Sequence, residues 1–136
     1  EIWAPLMPEV IKSPPWGNGV GGLMWSRAMK MEEMMFVGHP HNAYIQVYLD
    51  LGAIGTVCLL GFWIYSWFQF RKLAKDVRIA PELQGFFEGA SAGIVSFLIA
   101  GNAGSSLMPV PEQSFLWLAL GLMWGVQRHL KRLGTK

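Results

Sequence analysis

Apolar and polar positions divide the chain into a mixed amino-terminal part and a carboxy-terminal part with three apolar stretches. Leu51–Phe68 holds eighteen residues without a charge, close to the roughly 20 residues that cross ~30 Å of hydrocarbon. It predicts a first membrane span near 43–70. The next apolar stretch predicts a second span near 83–104; it contains Glu88, which is expected to face protein or the membrane surface. A third, shorter span is predicted near 113–127.

Residues 1–42 do not have the pattern of a membrane span, because they include five prolines and five glycines. Apolar residues at helical spacing predict a short amphipathic helix kinked by Pro8 and stopped by Pro14; these residues are Trp3, Leu6, Met7, Val10 and Ile11. The run 17–22 (GNGVGG) predicts a loop of unusual backbone geometry, and 23–36 predicts a second helix at the membrane surface. We therefore expect an extracytoplasmic loop over 1–42 and a membrane region over 43–136.

Composition supports the assignment to the membrane. Hydrophobic residues make up 52% of the chain and charged residues 15%, against about 25% charge in a soluble domain, which excludes a disordered chain and argues against a soluble enzyme domain. The net charge of +2 gives no indication of nucleic-acid binding. The single cysteine, Cys58, excludes an intramolecular disulfide and is expected to be a packed thiol. The chain begins at Glu1 without a signal peptide, so we expect the carboxy-terminal part of a longer protein.

Charge placement predicts an orientation. Eight of the eleven basic residues lie in segments 71–80 and 128–136, and short basic segments stay in the cytoplasm. Two spans separate these segments, so both lie on the same side. Residues 1–42 and 102–112 are then extracytoplasmic. Two GxxxG patterns within the spans predict that Gly93 and Gly125 face other helices.

Candidate chemistry lies at 38–44 (GHPHNAY), where the loop meets the first span. Asn42 is a good helix N-cap, which places His41 one residue outside the helix. Free amides and the helix dipole there favour an anion such as phosphate, and the same potential disfavours an imidazolium. His41 is therefore a candidate general base for transfer onto a hydroxyl; the alternative is a solvated turn.

Two other polar residues, His39 and Arg27, are weaker candidates for functional roles. His39 and His41 are separated by a proline and lack further ligands, so no metal is predicted. Arg27 could clamp a pyrophosphate through its guanidinium fork; the alternative is a solvated or headgroup-contacting side chain.

The spacing His41-Asn42, nine residues, Gly52, two residues, Gly55 resembles the signature of the O-antigen ligase and O-antigen polymerase superfamily. Its flanks are similar too, in HNAYIQVYLDLGAIG and in the upstream EIWAPLMPEVIKSPPWGNGVG, with its Ile-Trp and Pro-x-x-Gly-x-Gly-x-Gly elements. Asp50 stands where the family usually has Glu. An Arg that often precedes the Ile-Trp element would lie before Glu1, as would the family's earlier spans.

The resemblance implies an all-α, polytopic inner-membrane glycosyltransferase of bacteria, with its active site facing the periplasm. It would transfer an undecaprenyl-pyrophosphate-linked glycan to an acceptor hydroxyl, without a metal or cofactor. His41 would be the catalytic base, Asn42 would cap the helix and orient His41, and Arg27 would neutralise the leaving pyrophosphate. Partners would be the lipid-linked donor, the acceptor, membrane lipid and the remaining helices of the full-length protein; this chain alone is expected to be inactive.

The acceptor stays open at this point. An O-antigen ligase joins the glycan to lipid A-core in lipopolysaccharide biosynthesis. The alternatives are an O-antigen or exopolysaccharide polymerase, a protein O-oligosaccharyltransferase, and a transport subunit without enzymatic activity.

Overall fold

A computed structural model of the chain describes residues 7–21, 41–104, 106–108 and 111–133. Within these ranges the regular secondary structure is helical and contains no strand, which confirms the all-α prediction for them. Four α-helices follow one another in the described parts: α1 (Met7–Lys12), α2 (Ala43–Ala74), α3 (Pro81–Ala100) and α4 (Phe115–Leu133). A 3₁₀ turn at Pro111–Gln113 precedes α4.

Two of these helices, α2 and α3, are long and apolar enough to cross a membrane. Only 22% of the most apolar stretch of α2 and 28% of that of α3 is buried. Most of their apolar surface therefore points outward, whereas a core helix of a soluble protein is mostly buried. Helix α4 does not qualify, because every eighteen-residue stretch within it includes Arg128, Lys131 and Arg132.

The helix bounds differ from the predicted spans at the polar ends. Helix α2 continues through Arg71 and Lys72 to Ala74, and α4 continues six residues beyond 127. Basic residues in a last turn favour the negative end of the helix dipole, so they extend a helix rather than end it. In contrast, α3 ends at Ala100, and residues 101–104 form a turn.

Helix α1 confirms a helix over the described part of the predicted amphipathic segment, and Pro8 lies within it. The predicted surface helix over 23–36 lies outside the described residues, as do residues 1–6.

The chain divides into two compact units, Glu1–Gly61 with Leu98–Leu107, and Phe62–Phe97 with Met108–Lys136. In the first unit, Ala43, Val47 and Leu107 form a small buried cluster. Cys58 is exposed, so the expectation of a packed thiol is wrong. The thiol lies on the outward apolar face of α2.

In the second unit, α3 runs antiparallel to α2 and α4 runs parallel to it. Ring centroids lie 5.2 Å apart for Trp63 and Phe97 and 5.9 Å apart for Phe70 and Phe87. Later residues of α2 therefore contact earlier residues of α3. Trp63 also lies 6.1 Å from Trp117. Near the other end, Gln127 Nε2 donates to Gln69 Oε1 at 2.8 Å.

The two GxxxG glycines of this unit differ. A Cβ at Gly93 would lie 3.0 Å from the Phe115 ring, so Gly93 faces α4, as predicted. A Cβ at Gly125 would meet nothing within 4 Å among the described residues, which does not support the prediction that Gly125 faces another helix.

Candidate active site

Helix α2 is broken at Gly52, inside the stretch that the sequence predicts as one continuous span. Gly52 has φ 68° and ψ −173°, a backbone conformation that is essentially confined to glycine and costs a residue with a side chain about 1–3 kcal/mol. The break separates a short amino-terminal segment, 43–51, from the longer segment 53–74. It also removes the regular helical partners of the nearby carbonyl groups.

The glycine loop that follows α1 docks on this break through its backbone. Asn18 N donates to Leu49 O at 2.8 Å and Gly19 N donates to Asp50 O at 2.9 Å. In return, Ile54 N donates to Pro15 O at 3.1 Å. The loop thus pairs with backbone groups that a continuous helix would satisfy within itself.

The loop backbone lies so close to α2 that both segments need a glycine at the contact, Gly17 in the loop and Gly52 in the helix. A Cβ at Gly17 would collide with the backbone of Asp50 and Gly52, and a Cβ at Gly52 would collide with the carbonyl of Pro15. Gly17 also has a positive φ of 80°. Near the break, a Cβ at Gly55 would collide with Leu51 Cβ. The glycines at 52 and 55 therefore have separate steric causes.

Asn42 caps the amino terminus of α2, as its position predicts. Its Oδ1 accepts hydrogen bonds from Tyr44 N at 3.0 Å and Ile45 N at 3.2 Å. His41 immediately precedes this cap; its side chain is exposed and its φ is 49°. A positive φ is uncommon for a residue other than glycine, and it is maintained only where the surrounding structure imposes it.

The turn after α3 holds the same helix end from the other side. Ala43 N donates to Gly101 O at 2.8 Å, and the Tyr44 hydroxyl donates to Leu98 O at 2.6 Å. A Cβ at Gly101 would lie 2.9 Å from Leu107 Cδ2, so the turn leaves little room for a larger residue. The backbone that carries His41 is therefore anchored by two separate segments, the N-cap and this turn.

These bonds correct the expectation that free amides at the helix start bind an anion. Asn42 Oδ1 takes the N–H groups of Tyr44 and Ile45, Gly101 O takes that of Ala43, and Asn42 O takes that of Gln46 at 3.1 Å. The amides of the first turn are thus already satisfied within the protein. An anion beside His41 would have to be held by basic side chains and the helix dipole.

Sequence reasoning missed a polar pair one turn further along. Gln46 Nε2 donates to Asp50 Oδ2 at 2.8 Å. The second oxygens, Gln46 Oε1 and Asp50 Oδ1, are buried and have no hydrogen-bonding partner in the part of the chain that the structure describes. The i, i+4 spacing of Gln and Asp is the sequence signal that could have indicated this pair.

One predicted site residue, Arg27, lies outside the described residues, as does the neighbouring His39. Of the predicted site residues the structure describes only His41 and Asn42, which are adjacent in the chain. Among residues 7–21, 41–104, 106–108 and 111–133, no group of three or more His, Cys, Asp or Glu side chains could hold a metal ion.

Comparison of the chain with protein families, with curated proteins and with solved structures finds no match.

Proposed function

We propose that this chain is the carboxy-terminal part of a bacterial inner-membrane glycosyltransferase of the O-antigen ligase type. It transfers an undecaprenyl-pyrophosphate-linked glycan to a hydroxyl of lipid A-core. The supporting observation is the docking of the glycine loop on the break at Gly52. The two parts of the pattern that resembles this superfamily are about thirty residues apart in sequence, yet Asn18 and Gly19 hydrogen-bond to Leu49 and Asp50.

In the proposed reaction, His41 takes the proton of the acceptor hydroxyl while the oxygen attacks the anomeric carbon of the donor sugar. The bond from that carbon to the lipid pyrophosphate breaks, and the pyrophosphate leaves with the electron pair. Asn42 keeps His41 at the start of the helix. Because the first-turn amides are occupied, side chains must stabilise the negative charge that develops on the leaving pyrophosphate. Arg27 is our candidate for this role.

The proposed orientation puts His41 on the periplasmic side and the segments 71–80 and 128–136 in the cytoplasm, because eight of the eleven basic residues lie in these two segments. It is tested by labelling in intact cells with a membrane-impermeant thiol reagent. Cys58 is exposed, so the background is first a Cys58→Ala variant. We expect no labelling of a cysteine placed at Lys75. Labelling there in intact cells would reverse the orientation.

The catalytic role is tested with the full-length protein, a purified lipid-linked donor and a lipid A-core acceptor, at matched amounts of folded protein. A positioned general base contributes about 10²–10⁴-fold in rate, so His41→Ala should lose most of the transfer. His39→Ala and His129→Ala are the matched controls and should transfer nearly as the parent does. Near-parental turnover of His41→Ala refutes the role, and a polymerised glycan as the product refutes the ligase assignment.

A further inference from the structure

A polar cleft of about 460 Å³ lies in the second unit, beside the carboxy-terminal ends of α2 and α4. Basic and amide side chains dominate its lining: Lys72, Arg78, Lys131, Gln69 and Gln127. One carboxylate, Asp76, also lines it. This cleft shares no residue with the site around His41.

The charges of the cleft favour an anion. Asp76 is already engaged by Arg78, whose Nε lies 2.9 Å from Oδ1 and whose Nη2 lies 2.6 Å from Oδ2. Three basic side chains, Lys72, Arg78 and Lys131, thus line the cleft beside one carboxylate. Gln127 and Gln69, which also line the cleft, are joined by a hydrogen bond from Gln127 Nε2 to Gln69 Oε1.

An apolar groove of about 650 Å³ adjoins the cleft and shares Arg78 and Leu130 with it. The groove extends along α4 from Leu130 to Trp117, which is about 20 Å at 1.5 Å per residue. One leaflet of hydrocarbon is about 15 Å deep. A Cβ at Gly121 or Gly125 would meet no described atom within 4 Å, so these glycines leave the groove wide.

We propose that the cleft binds the phosphate headgroup of an anionic phospholipid, with one acyl chain lying in the adjoining groove. A basic cleft alone would accept any phosphate, whereas a basic cleft joined to an apolar groove selects an amphiphile. The inference depends on the membrane location included in the proposed function but not on the chemistry at His41.

The test is native mass spectrometry of the detergent-solubilised full-length protein titrated with phosphatidylglycerol. Phosphatidylcholine with the same acyl chains and inorganic phosphate form the comparison arms. Lys72 and Lys131 line the cleft, so Lys72→Gln and Lys131→Gln should each weaken binding of one phosphatidylglycerol about fivefold, the size of one basic residue's contribution to affinity for anionic lipid. Lys75→Gln and Arg128→Gln remove neighbouring charges that do not line the cleft, and they should change binding less than about twofold.

A second variant tests the groove. Gly125→Leu should weaken binding of phosphatidylglycerol and leave that of inorganic phosphate unchanged. Equal losses in all four charge variants would indicate diffuse attraction and overturn the proposal. Inorganic phosphate binding as tightly as the lipid, with no effect of Gly125→Leu, would also overturn it.

The catalytic role of His41 and the binding of lipid in the cleft can be tested independently of each other. His41→Ala should bind phosphatidylglycerol as the parent chain does. If His41→Ala keeps its glycan transfer while the cleft variants lose lipid, the catalytic proposal fails and the lipid site stands. The reverse result removes only the lipid site.

Discussion

In the first unit a loop and a broken helix are joined by backbone hydrogen bonds, whereas in the second unit three helices pack through aromatic rings. Asn18 and Gly19 donate from the loop to carbonyls of α2. Trp63 is completely buried and contacts the rings of Phe97 and Trp117. Side-chain packing tolerates small shifts, but backbone bonds at a positive φ fix the chain path. In the proposed function, the backbone bonds of the first unit fix the position of His41.

Replacing Gly52 with Ala is expected to have the largest effect. The added Cβ collides with the Pro15 carbonyl, the positive φ costs about 1–3 kcal/mol, and each of the three lost loop bonds costs about 0.5–1.5 kcal/mol. The unfolding free energy in detergent should fall by roughly 3–7 kcal/mol. Gly121→Ala, at a helical position with open space, is the control and should be neutral or stabilising. Equal stability of the two variants would contradict the steric account.

Trp63→Ala tests the second unit in the same assay. Removing a fully buried Trp is expected to cost about 3–5 kcal/mol, because the rings of Phe97 and Trp117 lose their common neighbour. Trp124 is 59% exposed, so Trp124→Ala should cost far less. Similar losses for both tryptophans would mean that ring packing does not hold this unit.

Asn42→Ala removes the N-cap and should cost about 0.5–2 kcal/mol. Asn42→Ser keeps an acceptor for the first-turn amides and should recover most of that loss. The unfolding free energy of both variants is compared with that of the parent chain. If Ser and Ala destabilise equally, the cap bonds do not stabilise this end of α2.

The Asp76–Arg78 pair is expected to give the smallest effect, visible only in acid. Hydrogen bonds from Arg78 lower the pKa of Asp76 from 3.8 to about 2. A lowered pKa means that the pair stabilises the fold above about pH 4, and that this stabilisation is lost as the pH falls towards about 2. The difference in unfolding free energy between the parent and Asp76→Asn should therefore shrink over that range. A difference that is constant with pH would contradict the pairing.

Features of the fold and of the candidate site that depend on local chemistry could be predicted from the sequence, and features that depend on distant residues could not. The apolar stretches predicted α2 and α3, and the residue type and position of Asn42 predicted its cap, because these features depend on local chemistry. The break at Gly52 was not predicted, because the uncharged run around it has the composition of one continuous span. The occupied first-turn amides were not predicted either, since the acceptor for Ala43 is Gly101, which is distant in sequence.

The central claim is that the glycine loop closes on the broken helix through the amides of Asn18 and Gly19, and residue-resolved hydrogen exchange tests it most directly. Both amides are hydrogen-bonded to α2, whereas Val20 is 89% exposed. The account predicts that Asn18 and Gly19 exchange about tenfold or more slowly than Val20, and that Gly52→Ala abolishes the difference. Equal exchange at all three amides in the parent chain would contradict it.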